Sequence, residues 1–253
     1  METNTHHKTA LVTGASEGIG RALAKKLAHE GYQITLVARN KKRLEELLVE
    51  LPGTHELAIA DLSTTEGVQK ICRTLTQKHY HLLVNNAGFG LIGEFEQLSL
   101  EKNIEMLHLN IEALVALSHA FLVQAQRGDA LVNVSSVLAF APLPANGLYS
   151  ATKAFVTSFS ETLWHNQKKR GVYVMNLCPG ITATEFHRRA GDSQRTPPAA
   201  LMQTPEEVAE ATLQALRRRR DPTIVSGYKN QFMAQIFKTL PRKSLLKILG
   251  SQV

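Results

Sequence analysis

Cysteine is nearly missing from this chain. Its 253 residues hold two, Cys72 and Cys178, too few and too far apart to suggest a disulfide framework. No uninterrupted apolar run approaches the roughly 18 residues that a membrane span requires. The first eight residues, METNTHHK, lack the apolar core of a signal peptide. A reducing, cytoplasmic location is therefore expected. The ten histidines form no cluster with acids or cysteines at metal-ligand spacing, so no metal is expected. Repeats, low-complexity tracts and a linker are missing too, which favours one domain over residues 1–253.

The net charge of +7 is unevenly placed. From Arg217 onward there are nine basic residues and one acid, Asp221, a local charge of +8 that leaves residues 1–216 at −1. Bulk electrostatics thus do not prepare the main body for a polyanion, and no nucleic-acid partner is expected. A hydrophobic content of 43% with 20% charged residues is that of a globular chain with a sizeable core.

What is present is an alternation. TALVT, YQITLVA, ELAIA, HLLVN, ALVNVS, VYVMNLC and TIVS read as seven strands. Helical patterns separate them, over Ser16–Glu30, over KKRLEELLVEL, through the late seventies, over about 100–126 and over about 146–169. Thr204-Pro205-Glu206-Glu207 is a capping box with proline at the first helical position, a helix start. Apolar strands alternating with helices predict an α/β fold, a Rossmann-like, doubly wound parallel sheet of about seven strands with helices on both faces.

In such a sheet ligands bind beyond the carboxyl ends of the strands. The first strand runs into TGASEGIG, where Gly14, Gly18 and Gly20 permit a sharp turn and close approach to a pyrophosphate at the following helix N-terminus. The second strand ends in VARN. A carboxylate there would hydrogen-bond a ribose 2′-OH, whereas arginine suits a 2′-phosphate. Arg39 with no acid beside it favours NADP(H) over NAD(H), although Glu17 inside the glycine loop pulls the other way.

The stretch LYSATKA holds Tyr149 and Lys153 one helical turn apart. Taken alone, such a pair is only two polar residues on one helix face. Together, TGxxxGxG, an Asp after the third strand, NNAG, a mid-helix Asn, a Ser, YxxxK and PG resemble the short-chain dehydrogenase/reductase family over about residues 8–226. The resemblance narrows to a bacterial subgroup with NNAGFG, PLPANGLYSATKAF and a basic, apolar tail over about 227–253.

That resemblance implies a cofactor site and a catalytic tetrad. Ser16 and Ile19 join the loop glycines, Asp61 and Leu62 meet the adenine, and Asn86, Ala87 and Gly88 line the adenosine side and brace the sheet. Pro179 and Gly180 form a turn beside the nicotinamide, with Thr182 and Thr184 contacting its carboxamide or the phosphates. Asn110, Ser136, Tyr149 and Lys153 are the implied tetrad, and Asn110, Tyr149 and Lys153 also border the cofactor. Free tyrosine has a pKa of about 10, and a lysine ammonium one turn away is expected to lower it. Ser136 would hold the substrate oxygen, Lys153 the ribose hydroxyls, and Asn110 a water for proton resupply. Dimers or tetramers are implied as well.

Leu138, Phe140, Pro142 and Leu143 follow the serine, and Phe89, Leu91 and Ile92 follow NNAG. Both segments are expected to border an apolar pocket, which favours a lipophilic ketone or alcohol. Residues 185–203, with Arg188, Arg189 and Arg195, suit a substrate lid. Cys178 is expected to be a buried packing residue. In the tail, Tyr228, Phe232, Ile236 and Leu240 recur every four residues. That stripe fits a helix on a membrane surface, or one covering the chain's own pocket or a subunit interface. Two functions are compatible with all of this: an NADP(H)-dependent ketone/alcohol oxidoreductase, or a silent NADP(H)-binding sensor or scaffold.

Overall fold

Each of the seven apolar runs becomes a strand, because both of its faces can be covered by the helices that flank it in sequence. The computed structural model describes residues 8–186, 190 and 202–250. Its strands are β1 (Thr9–Thr13), β2 (Gln33–Ala38), β3 (Glu56–Ile59), β4 (Leu82–Asn85), β5 (Ala130–Val134), β6 (Tyr173–Cys178) and β7 (Thr223–Val225). They form one parallel sheet in the order β3-β2-β1-β4-β5-β6-β7. The helices are α1 (Gly18–His29), α2 (Lys41–Glu50), α3 (Thr65–Gln77), α4 (Leu100–Leu107), α5 (Leu114–Gln124), α6 (Gly147–Gln167), α7 (Pro205–Arg218), α8 (Tyr228–Thr239) and α9 (Arg242–Gly250). This is the doubly wound architecture expected from the alternation.

Successive strand residues enter different cores, as the two-residue period of a strand demands. Ala10, Val12, Ile34, Leu36, Val84, Val132 and Met175 pack with α1, α2 and α7. Leu11, Val37, Leu83, Leu131 and Val174 pack with α3 and α5 on the other face. Strand order reverses between β1 and β4, so a crevice opens beyond the carboxyl ends of these two strands. The glycine loop, Arg39, Asp61, Asn86–Gly88, Ser136 and the Pro179–Gly180 turn follow the carboxyl ends of strands, Tyr149 and Lys153 lie on α6, and Asn110 lies between α4 and α5.

The long helix expected over about 100–126 forms without interruption over Leu100–Gln124, with one π-helical turn inside it at His108–Ala113. Its cause lies outside the helix: Asn110 is 1% exposed and its side-chain amide is bonded to the Phe89 backbone, as described below. Such single π-turns inside helices often mark functional positions. The stretch Leu100–Gln124 is long and apolar enough, by length and composition, to cross a membrane, yet Ala113, Leu117 and Phe121 are packed into the second core.

The tail differs from one of its two expectations. α8 and α9 form, but the stripe does not pack on the domain. Tyr228 and Phe232 are 76% and 71% exposed. The packing face is instead Asn230, Ala234 and Phe237, with Leu245 from α9.

Candidate active site

The glycine loop joins β1 to α1. Gly14 (φ 65°) and Gly18 (φ 53°) occupy left-handed backbone that side chains resist, and a Cβ on Gly20 would lie 2.3 Å from the Gly14 carbonyl oxygen. Ser16 and Ile19 complete the loop, with Ile19 packed on the first core. Asn40, Thr64, Ser99 and Thr204 cap α2, α3, α4 and α7 with side-chain oxygens. α1 begins at Glu17 without any side-chain cap. Its first N–H groups therefore offer a backbone anion site, which fits a pyrophosphate.

Thr13 closes the other side of the crevice. Its Oγ1 accepts from the N–H groups of Asn86 and Ala87, both at 2.9 Å, and Asn86 Nδ2 donates to the Thr13 carbonyl at 2.9 Å. Asn86 thus braces the ends of β1 and β4, as expected of it. Asp61 accepts from the Ser63 N–H (3.0 Å) and hydroxyl (2.7 Å). Burial alone would raise its carboxyl, but these bonds and Arg39 together hold it below the usual carboxylate range. Arg39 lies 3.4 Å from Asp61 and 3.9 Å from Glu105. Sequence reasoning missed Arg43, which pairs with Glu17. Its signal was available: it lies one turn beyond Arg39 in a helix that Asn40 caps. With Glu17 neutralised by Arg43, the acid in the glycine loop no longer argues against a 2′-phosphate.

α6 presents an unusual buried face of Tyr149, Ser150, Thr152, Lys153, Thr157 and Ser160. The sheet answers with asparagines in register on β4, β5 and β6. Asn85 donates to Asn133, and Asn133 to Ser160, both at 3.0 Å, while Asn176 donates to Thr157 at 3.2 Å. The Ser135 hydroxyl donates to the Lys153 carbonyl at 2.7 Å. Rotating α6 would strand these groups in the interior, at roughly 1–3 kcal/mol each. Tyr149 and Lys153 are therefore held in one orientation.

All four tetrad residues converge there. Asn110 accepts from the Phe89 N–H (3.1 Å) and donates to the Phe89 carbonyl (2.9 Å) and to Thr152 (3.2 Å). It clamps the NNAG loop to α6. A Cβ on Gly88 would lie 2.9 Å from Asn110 Oδ1 and 3.5 Å from Lys153 Nζ, so both groups crowd the same backbone. Ser136 begins the turn after β5 and its Oγ accepts from the Leu138 N–H at 3.2 Å. Tyr149 is 7% exposed. It lies against Gly90, and its ring sits 5.4 Å from that of Phe186 in a tilted arrangement; neither residue was picked out in the sequence.

The electrostatics correct one expectation. Lys153 Nζ donates to the Val134 carbonyl at 2.9 Å and lies 5.6 Å from the Tyr149 ring centroid. Burial raises the phenol above its ordinary value, and the Ser136 hydroxyl is the group that draws it down. Burial also pushes the Lys153 ammonium down to about 8. Resting Tyr149 is thus a neutral phenol across the physiological range, with its proton in place to donate. Cys178 is fully buried, its thiol pushed up to about 11, and is inert packing as expected.

At the far rim, Thr182 is buried and its hydroxyl donates to the Gly180 carbonyl at 3.1 Å, while Thr184 presses on Gly18. The Pro179–Gly180 turn depends on the tail. A Cβ on Gly180 would lie 2.2 Å from Asn230 Oδ1, and Asn230 Nδ2 donates to Gln203 and to the Ser226 carbonyl, both at 2.8 Å. Gly180→Ala is expected to lower stability by about 1–3 kcal/mol through overpacking. Adding Asn230→Ala should recover part of that loss, which urea unfolding of both variants would reveal. Phe140, expected to border the pocket, turns away into a cluster with Cys178 and Ala234. Phe89, Leu91, Ile92, Leu138, Pro142 and Leu143 are half-buried. Arg188, Arg189, Arg195 and most of the expected lid lie outside the described residues.

With that geometry in place, residues 8–195 match the sequence profile of the short chain dehydrogenases. The chain is 34% identical over 213 residues to sulfoacetaldehyde reductase 2 of Chromohalobacter salexigens, covering 79% of this chain and 84% of that one. A short-chain dehydrogenase from Sphingobium yanoikuyae, solved in complex with NADPH, is 32% identical. It superposes with a TM-score of 0.80, covering 90% of this chain and 92% of that one. The bulky-bulky ketone specific alcohol dehydrogenase from Comamonas testosteroni is 27% identical with a TM-score of 0.77, covering 93% and 95%.

Proposed function

This chain belongs to the short chain dehydrogenase family, and we propose that within it the protein is an NADP(H)-dependent oxidoreductase that interconverts a lipophilic ketone and a secondary alcohol. The observation that carries this reading is Tyr149, neutral and buried between Gly90 and Phe186, with Ser136 and Lys153 beside it. A protein that only bound a nucleotide would have no use for a proton donor held this way, which favours turnover over a silent sensor.

The residues that would hold the cofactor follow the crevice. Gly14, Ser16, Gly18, Ile19, Gly20 and the uncapped start of α1 would take the pyrophosphate. Arg39 and Arg43 would meet the 2′-phosphate, and Asp61, Leu62 and Asn86–Gly88 the adenosine. Lys153 would bind the ribose hydroxyls, and Pro179, Gly180, Thr182 and Thr184 would border the nicotinamide. NADPH held by these residues would supply the hydride for the carbonyl carbon. Ser136 holds the carbonyl oxygen and stabilises the charge that develops on it. Tyr149 delivers its phenolic proton to that oxygen, and Lys153 stabilises the phenolate left behind. Asn110 keeps the Phe89 backbone and Thr152 in place around this exchange.

The half-buried apolar rim supports a lipophilic substrate, and the similar Comamonas testosteroni enzyme is specific for bulky-bulky ketones. A panel of bulky ketones, alcohols and one small sulfonated aldehyde, followed at the nicotinamide absorbance, tests the reading. Fastest turnover of the sulfonated aldehyde would overturn the lipophilic assignment, and tight NADPH binding without any turnover would establish the silent alternative. For the cofactor, Arg39→Asp is expected to weaken NADPH about ten- to hundredfold while sparing NADH, the size of one charge-assisted contact. An unchanged ratio of the two affinities would remove Arg39 from the site.

A further inference from the structure

α8 buries one face and displays another. Asn230, Ala234 and Phe237 hold it on the domain, while Tyr228, Phe232 and Ile236 point outward, 76%, 71% and 37% exposed. At about 100° per residue these three lie within about 80° of one another. Lys229 and Lys238 flank them on opposite sides, both exposed. α9 also exposes Leu246, Arg242, Lys243 and Lys247. Residues 227–253 contain no aspartate or glutamate.

Exposed aromatic and aliphatic groups of this extent call for a partner. The domain's own core is excluded, because the other side of α8 already packs there. A second copy is disfavoured by charge: a two-fold contact sets a patch against itself, here five cations against five with no acid to separate them. An acid-free apolar stripe rimmed by lysine and arginine matches the chemistry of an anionic lipid surface. We infer that α8 and α9 dock this protein onto anionic bilayers, with Tyr228, Phe232 and Ile236 entering the headgroup region and Lys243 and Lys247 meeting lipid phosphates.

The placement has a consequence for the site. Lys238 Nζ lies 4.2 Å above the Phe140 ring, and Arg242 donates to the Phe140 carbonyl at 3.2 Å. α8 therefore rests on the turn that follows Ser136, and docking sets that turn next to the bilayer. A lipophilic substrate would then reach the site without crossing water. Only this delivery rests on the function proposed above; vesicle binding does not.

Sedimentation of the full-length protein with vesicles tests the inference. Wild type is expected to sediment with phosphatidylcholine vesicles containing phosphatidylglycerol and not with pure phosphatidylcholine, and to be released by high salt. Phe232→Ser with Tyr228→Ser should weaken binding at least about tenfold, and so should Lys243→Glu with Lys247→Glu, at roughly fivefold per lost cation. Both pairs sit on the surface, and unchanged thermal melting would show that they fold. Failure of wild type to bind anionic vesicles, equal binding to neutral ones, or full binding by either pair would overturn the inference. So would a wild-type dimer in ultracentrifugation that Phe232→Ser dissociates, since the patch would then belong to a second copy. None of these outcomes bears on NADPH turnover, so the two readings fail separately.

Discussion

Tyr149→Phe is expected to lower turnover about 10²- to 10⁴-fold, the usual contribution of a positioned general acid, while NADPH affinity stays within about twofold. The phenyl ring keeps the contacts with Gly90 and Phe186, so the change removes a hydroxyl and little else. Stability should fall by no more than about 1 kcal/mol for the interaction with Ser136. Because burial raises the Tyr149 phenol, wild-type reduction should be flat in pH through neutrality, with the acid always protonated. Alcohol oxidation needs the phenolate and should accelerate as pH rises. Retention of more than a tenth of wild-type turnover by the phenylalanine variant would show that another group carries the proton.

Lys153→Met should be nearly as damaging to turnover, by about 10²- to 10³-fold, because the ammonium stabilises charge that exists only as the proton leaves Tyr149. It should also weaken cofactor binding, which separates it from the tyrosine variant. Its effect on stability has the opposite sign. Lys153 is 5% exposed and its pKa is lowered from 10.5 to about 8. Between those values the unfolded chain binds the extra proton, so wild-type stability should rise as pH climbs from about 8 toward 10. Below pH 8 the folded protein bears the full penalty of the buried ammonium, on the order of 3 kcal/mol. Above 10, the raised Tyr149 reverses the trend, since the unfolded chain loses its phenolic proton first. The methionine variant should be the more stable protein at pH 7 and should lack the rise above pH 8. Denaturant titrations of both proteins at several pH values would show it. A wild-type stability flat from pH 8 to 10 would mean that the ammonium is solvated or paired in solution.

These two predictions trace how far a sequence can be read. The seven strands were legible because a strand buried on both faces is an apolar run cut off by glycine, proline or a helix cap, all of which are local. That Asn110, Ser136, Tyr149 and Lys153 belong together was legible only through the resemblance to the short-chain dehydrogenase/reductase family, since the Tyr149–Lys153 spacing alone is that of any two polar residues on one helix face. Even the capping box at Thr204 formed as written.

Other features depended on what lies across space. The amide of Asn110 had to meet Phe89 and Thr152 before a helix of ordinary appearance took its π-turn. α8 carries apolar groups on two faces, Tyr228 and Phe232 on one and Ala234 and Phe237 on the other, and periodicity cannot say which one finds a core. Phe140 and Cys178 were available to Ala234 and Phe237, so the stripe with the stronger four-residue repeat went to solvent. The sign of the Tyr149 shift was decided in the same way. Sequence set the lysine one turn from the tyrosine, but the competition between its charge and the loss of water depends on burial, which exists only once α6 has packed on its asparagines. Residue type and local period determined the strands, the helices and their order along the chain, and the family's motifs pointed to the groups at the site. Desolvation and the choice of buried face, which are properties of many residues at once, were left to the tertiary structure.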